Sequence, residues 1–123
     1  MRNTLISIID DDESVRLSLA SLVRSLGAEA RTFPSVQNFL SSGVLEQCAC
    51  IVSDVEMPQL SGIDMQLLLE QHGYSIPVIF ITALWNDSAR KVAISHGASC
   101  YLEKPLDAQT FENALNQVLG PDV

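Results

Sequence analysis

At 123 residues and 13.4 kDa the chain is long enough to bury a single hydrophobic core. Its 47% apolar and 18% charged residues describe a soluble globular domain and exclude a disordered one. A formal charge of −8 excludes a protein that grips nucleic acid by itself, because phosphate binding needs a basic face.

No apolar run reaches the roughly 20 residues that cross a bilayer, and Met1-Arg2-Asn3-Thr4 has no signal-peptide pattern. A cytoplasmic location without membrane attachment is therefore expected. Cys48, Cys50 and Cys100 are an odd number, and no further Cys or His stands at zinc-ligand spacing around Cys48-Ala49-Cys50. Neither a disulfide framework nor a thiolate metal site is expected; alternation at the start of a strand accounts for the first two.

Five apolar runs alternate with five helical stretches. Leu5-Ile6-Ser7-Ile8-Ile9 reads as a strand that stops on Asp10-Asp11-Asp12-Glu13. A helix follows, with Val15, Leu19, Leu22, Val23 and Leu26 on one face; Asp12 and Glu13 complement its positive end. Glu29 to Phe33 is a short second strand, and Ser35 is a candidate cap for a helix carrying Val36, Phe39 and Leu40. The third strand spans about Cys50 to Ser53 and closes on Asp54. Met57-Pro58 ends pairing there, since proline has no amide proton, and Ser61-Gly62 is read as turn chemistry. Asp64 to His72 is a leucine-rich helix. Val78 to Ile81 forms the fourth strand, ending on Thr82-Ala83. Asn86 or Asp87 caps a helix that reaches Ser95 with Val92 and Ala93 inward. The fifth strand, about Ser99 to Leu102, ends on Glu103-Lys104-Pro105. A last helix from Asp107 buries Phe111, Ala114, Leu115, Val118 and Leu119 and stops at Gly120-Pro121. Gly27, Gly43, Gly73, Gly97 and Gly120 stand at the five helix ends, where glycine adopts the left-handed turn without steric cost.

Strand and helix in strict alternation give parallel strands with right-handed crossovers, covered on both faces: an α/β, (βα)5, doubly wound five-stranded sheet in one domain over 1–123. In the order 2-1-3-4-5, borrowed from known doubly wound sheets, strands one, three, four and five are contiguous. Asp10, Asp11, Asp54, Thr82 and Lys104 then share one rim, at the carboxyl ends where such sheets bind ligands. Several carboxylates together call for a cation, and an oxygen-only set suits magnesium (or manganese). A carboxylate beside such an ion can attack a phosphoryl group, with Lys104 and the Thr82 hydroxyl on its oxygens.

The run Ile9-Asp10-Asp11-Asp12-Glu13-Ser14-Val15-Arg16, Asp54 with Met57-Pro58 and Ser61-Gly62, Ile81-Thr82-Ala83, and Glu103-Lys104-Pro105 stand in one order and spacing. Over essentially its full length the chain resembles the receiver domain of two-component response regulators, with their flavodoxin-like fold. The resemblance implies that Asp54 accepts a phosphoryl group from a histidine kinase or a small donor. It implies magnesium held by the side chains of Asp11 and Asp54 and the Glu56 backbone carbonyl, with Asp10 acting through water. Thr82 and Lys104 would bond the phosphoryl group, Tyr101 would be the aromatic switch whose ring turns inward, and Lys104-Pro105 would be a cis peptide. The signal would leave through the surface of the fourth helix, fifth strand and fifth helix, by homodimerisation or by control of an output domain. The wording from Asp10 to Leu19 resembles receivers that precede a helix-turn-helix output domain, which favours a fragment over a stand-alone receiver. Apart from its own phosphoryl transfer and loss, no enzyme activity is implied.

Two positions depart from expectation. Glu56 and Leu84 flank the path of attacking water in this family, so Leu84 is expected to shield the acyl phosphate while Glu56 adds negative charge. Trp85 is unusual in its loop and is either a partner anchor or a ring lying across the surface. His72 and His96 sit near helix ends and receive no catalytic role. An aspartyl phosphohydrolase would carry D-x-D-x-T, whereas Asp54-Val55-Glu56-Met57-Pro58 offers a glutamate and a proline at the last two key positions. A flavin binder is disfavoured by the acidic loop after the first strand, where a flavin phosphate prefers hydroxyls and amides.

Overall fold

The computed structural model describes residues 4–120. Strands β1 (Leu5–Ile9), β2 (Glu29–Phe33), β3 (Cys48–Asp54), β4 (Val78–Thr82) and β5 (Cys100–Glu103) alternate with helices α1 (Glu13–Ser25), α2 (Val36–Leu40), α3 (Gly62–Gln71), α4 (Asp87–Ser95) and α5 (Ala108–Leu119). All ladders are parallel and the order is β2-β1-β3-β4-β5. The expected doubly wound sheet is the one observed.

The two-residue period of the strands builds two cores. Leu5, Ile9, Ile51 and Phe80 face one side, where Val36 and Phe39 of α2, Met65 and Leu69 of α3 and Ala93 of α4 cover them. Ile6, Ile8, Val52, Ile79 and Ile81 face the other, against Leu19 and Val23 of α1 and Phe111 and Leu115 of α5. Each fully buried large side chain contributes about 1.5–3 kcal/mol. Cys48 and Cys50 fall in opposite cores, so they cannot chelate one ion. Burial also holds both thiols above their ordinary pKa.

Side-chain caps start the helices. Asp12 accepts from the amides of Ser14 (2.9 Å) and Val15 (3.3 Å), Asn86 from Ala89 (2.9 Å) and Asp107 from Thr110 (2.7 Å). All five predicted helix-end glycines have positive φ; the stop expected at Pro121 lies outside the described residues.

Several details differ from the sequence reading. A 3-10 turn over Leu45–Gln47 leads straight into β3, which therefore begins at Cys48 rather than Cys50. Val92 points outward and is 42% exposed, because adjacent helical positions cannot both face the sheet and Ala93 takes the inward one. Val118 and Leu119 are only partly buried, at the edge of the second core. Ser61 and Gly62 form a helix start rather than a turn. Ser61 caps α3 in a reciprocal box with Asp64, and Gly62 is the first helical residue.

Register positions the site. Ile9 pairs with Ser53, so Asp10 and Asp54 leave the sheet side by side. Asp54 pairs with Ile81 and Thr82 with Glu103, which sets Thr82 one step beyond Asp54 on the next strand and Lys104 one step beyond Thr82 on the strand after that.

Candidate functional site

Asp10, Asp11 and Asp54 offer carboxylate oxygens that all lie within 4.8 Å of one another. Asp10 and Asp54 are buried, at 1% and 7% exposure, while Asp11 is open to solvent. Asp10 is held tightly. Its Oδ1 accepts from the Asp12 amide (2.9 Å), its Oδ2 meets Lys104 Nζ (2.9 Å), and its carbonyl accepts from Arg16 Nη1 (2.7 Å). Arg16 belongs to the motif quoted above, yet its anchoring role carries no separate sequence signal.

Asp54 Oδ1 accepts from the Val55 amide at 2.9 Å, and Oδ2 lies 3.6 Å from Lys104 Nζ. Burial and then the charge of Asp10 push its carboxyl up to about 6, against the opposing pull of Lys104. Burial alone would lower Lys104, but its hydrogen bond and charge contact with Asp10, joined by Asp54, hold it above its ordinary value. One ammonium thus serves two buried carboxylates, with a third beside them. Crowded hard oxygen donors with one face open to water fit a small divalent cation such as magnesium or manganese.

Thr82 is fully buried, and its hydroxyl does not point at Asp54. It donates to Glu56 Oε1 at 2.8 Å and accepts from the Leu84 amide at 3.0 Å. Glu56 is exposed, and its side chain reaches from the exit of β3 to the end of β4. Leu84 is 67% exposed and faces mostly solvent.

Tyr101 of β5 already lies inward at 7% exposure, and its Oη is buried without a partner. Burial and then the Glu56 charge raise its phenol above the ordinary value. Trp85 packs edge-on against the Tyr101 ring at 5.2 Å, while its indole N–H donates to Asp87 (2.8 Å). The Lys104–Pro105 peptide is cis. Asp10, Asp11, Asp54, Thr82 and Lys104 therefore share one rim as expected, the Glu56 side chain joins them through Thr82, and Tyr101 stacks with Trp85. His96 instead meets Glu70 (2.9 Å) on an exposed surface away from this group.

Sequence reading missed one residue that shapes the site. A Cβ on Gly62 would meet the Asp54 carbonyl oxygen inside van der Waals contact, Phe80 Cε1 at 2.8 Å and Ser53 Oγ at 3.1 Å. Its lack of a side chain lets α3 seat against the end of β3.

Residues 6–116 match the family described as the response regulator receiver domain. The response regulator TodT of Pseudomonas putida is 36% identical over 118 residues, covering 96% of this chain and 52% of TodT. The transcriptional regulatory protein FixJ of Azorhizobium caulinodans is 36% identical over 115 residues, covering 94% of this chain and 54% of FixJ. Among solved structures, that of the response regulator StyR superposes with a TM-score of 0.88 at 37% identity, over 96% of this chain and 60% of StyR. The chain thus spans about half the length of the curated relatives it matches. Among the described residues no helix is long and apolar enough to cross a membrane. With the sheet order, the acidic rim and the family match in agreement, the chain belongs to the response regulator receiver domains of two-component systems.

Proposed function

We propose that this receiver is a phosphoacceptor switch in which Asp54 takes a phosphoryl group from a histidine kinase or a small phosphodonor. The observation that carries the reading is one buried carboxylate, Asp54, whose free oxygen faces a lysine inside an acidic cluster at the carboxyl ends of parallel strands. Asp54 Oδ2 attacks phosphorus; the new O–P bond forms as the bond to the donor breaks, and the leaving group keeps that electron pair. Lys104, already 3.6 Å from Asp54, neutralises charge on the phosphoryl oxygens. The Asp11 and Asp54 side chains and the Glu56 carbonyl would hold magnesium or manganese, and Asp10 would act through water. When bound, the ion offsets the negative charge of the carboxylates and of the incoming phosphoryl group.

The output follows from what adjoins Thr82. Its hydroxyl receives the Leu84 amide, Trp85 comes next, and Trp85 packs on Tyr101. A Thr82 that swings toward a phosphoryl group pulls this loop against α4, β5 and α5. Val92 and Ile94, exposed at 42% and 40%, flank the outer face of α4 on its two sides, and Leu84 and Trp85 are exposed in the loop that enters it. This face would dimerise, or dock an output domain of the regulator in which residues 1–123 are the receiver. The relatives' length and description as regulators support that arrangement.

Trp85 is the only tryptophan, so its fluorescence reports the loop directly. A small acyl phosphate with magnesium should change the emission of the parent and leave Asp54→Asn unaltered. Equal responses in both proteins would mean that Asp54 is not the acceptor.

A further inference from the structure

We propose that the Glu56 carboxylate is a competing acceptor for the Thr82 hydroxyl, holding it away from the phosphoryl position and setting how readily the switch turns on. The inference rests on the receiver reading above and assigns a positioning role to a side chain that contributes only its backbone there.

The geometry leaves Thr82 one choice at a time. A hydroxyl has a single proton, and its nearest acceptor here is Glu56 Oε1 at 2.8 Å, while the oxygen accepts from the Leu84 amide at 3.0 Å. An anionic acceptor makes this bond stronger than one to the Leu84 carbonyl, which stands farther off at 3.1 Å. Thr82 is completely buried beneath Glu56, so bulk water does not compete for its proton in the resting arrangement. Glu56 is fixed from behind, because Val55 is buried and its amide is shared between Asp54 Oδ1 (2.9 Å) and the Ile81 carbonyl (3.3 Å).

An aspartyl phosphate adds close to two negative charges and calls for donors at its oxygens. Lys104 is in place beside Asp54; Thr82 is not until it leaves Glu56. The phosphoryl group must therefore displace one charge-assisted hydrogen bond before the loop through Leu84 and Trp85 can move. Such a bond corresponds to about a tenfold bias or more toward the resting arrangement. Tyr101 Oη, buried without a partner on the neighbouring strand, leaves an unused donor in the same region.

A double-mutant cycle separates this role from simple charge repulsion. The probe is beryllium fluoride with magnesium, which mimics a phosphoryl group, and its bound fraction is read by fluorine NMR. Removing the competitor in Glu56→Ala should tighten binding about tenfold, and Glu56→Gln, which keeps a neutral acceptor of the same shape, should gain less. In a Thr82→Ala background, Glu56→Ala should change affinity by less than about twofold, since no hydroxyl remains to release. Equal gains in both backgrounds would show repulsion by the Glu56 charge alone and overturn the proposal. So would an affinity for Glu56→Ala within about twofold of the parent. A parent that binds the probe no better than Asp54→Ala would instead bring down the receiver reading, and this inference with it.

Discussion

Gly62→Ala should lower the free energy of unfolding by about 3 kcal/mol, the upper end of the range for forcing extra atoms into a packed site. Helix propensity predicts the opposite sign, because alanine inside a helix is favoured over glycine by about 0.5–1 kcal/mol. The steric term decides. The new methyl would press on the Asp54 carbonyl, on Phe80 at 2.8 Å and on Ser53 Oγ at 3.1 Å. Two of these belong to a central strand, and Phe80 is completely buried, so none of them can swing into solvent. Urea unfolding of parent and variant measures the difference. A variant as stable as the parent would show that α3 does not need this close approach. Because the obstructed carbonyl is that of Asp54 itself, phosphoryl uptake should also slow in the folded fraction.

In the absence of divalent ions, Asp54→Asn should stabilise the protein by about 3 kcal/mol at pH 7.5 and by only about 0.5 kcal/mol at pH 4. The folded Asp54 carboxyl takes its proton near 6, above an ordinary value of 3.8. Between those values the folded state holds a proton that the unfolded chain has released, so unfolding free energy falls as pH rises through the window. Below it Asp54 is neutral in both states and costs nothing. Above it the full cost of an ionised, buried carboxylate beside Asp10 stands, at about 1.4 kcal/mol for each unit of the shift. Asparagine keeps the shape and removes the charge. Magnesium should reverse the comparison at pH 7.5, since an ion bound only by the folded parent stabilises it by mass action. Thermal unfolding of both proteins at the two pH values, with chelator and then with magnesium, reads all four states. A parent that gains stability from pH 4 to 7.5 without metal, relative to the variant, would reverse the sign of this argument.

Most of the fold could be read from the chain because both faces of the sheet are covered and four of the five strands, all but β2, run out at a polar residue. Apolar runs such as Val78 to Ile81 permit few other placements, and Asp10, Asp54, Thr82 and Lys104 interrupt the runs where the strands stop. Asp12 and Ser35 announce their caps locally. What the chain does not display are contacts made across strands. The hydrogen bond from Thr82 to Glu56 joins residues 26 positions apart, and only the pairing of Asp54 with Ile81 brings them together. Gly62 reads as turn chemistry until its neighbours on β3 and β4 are known. The outward turn of Val92 follows from helical spacing, because Ala93 takes the sheet-facing position and its neighbours on either side turn away. Trp85 against Tyr101 is likewise a contact between the α4 entry loop and β5 that periodicity cannot show.

Intact-mass spectrometry tests the central claim most directly: parent and Asp54→Asn are each incubated with a small phosphodonor, with and without magnesium. The account predicts the added mass of one phosphoryl group on the parent, dependent on magnesium and absent from Asp54→Asn. A folded parent that gains no mass, or a variant that gains as much as the parent, would contradict it.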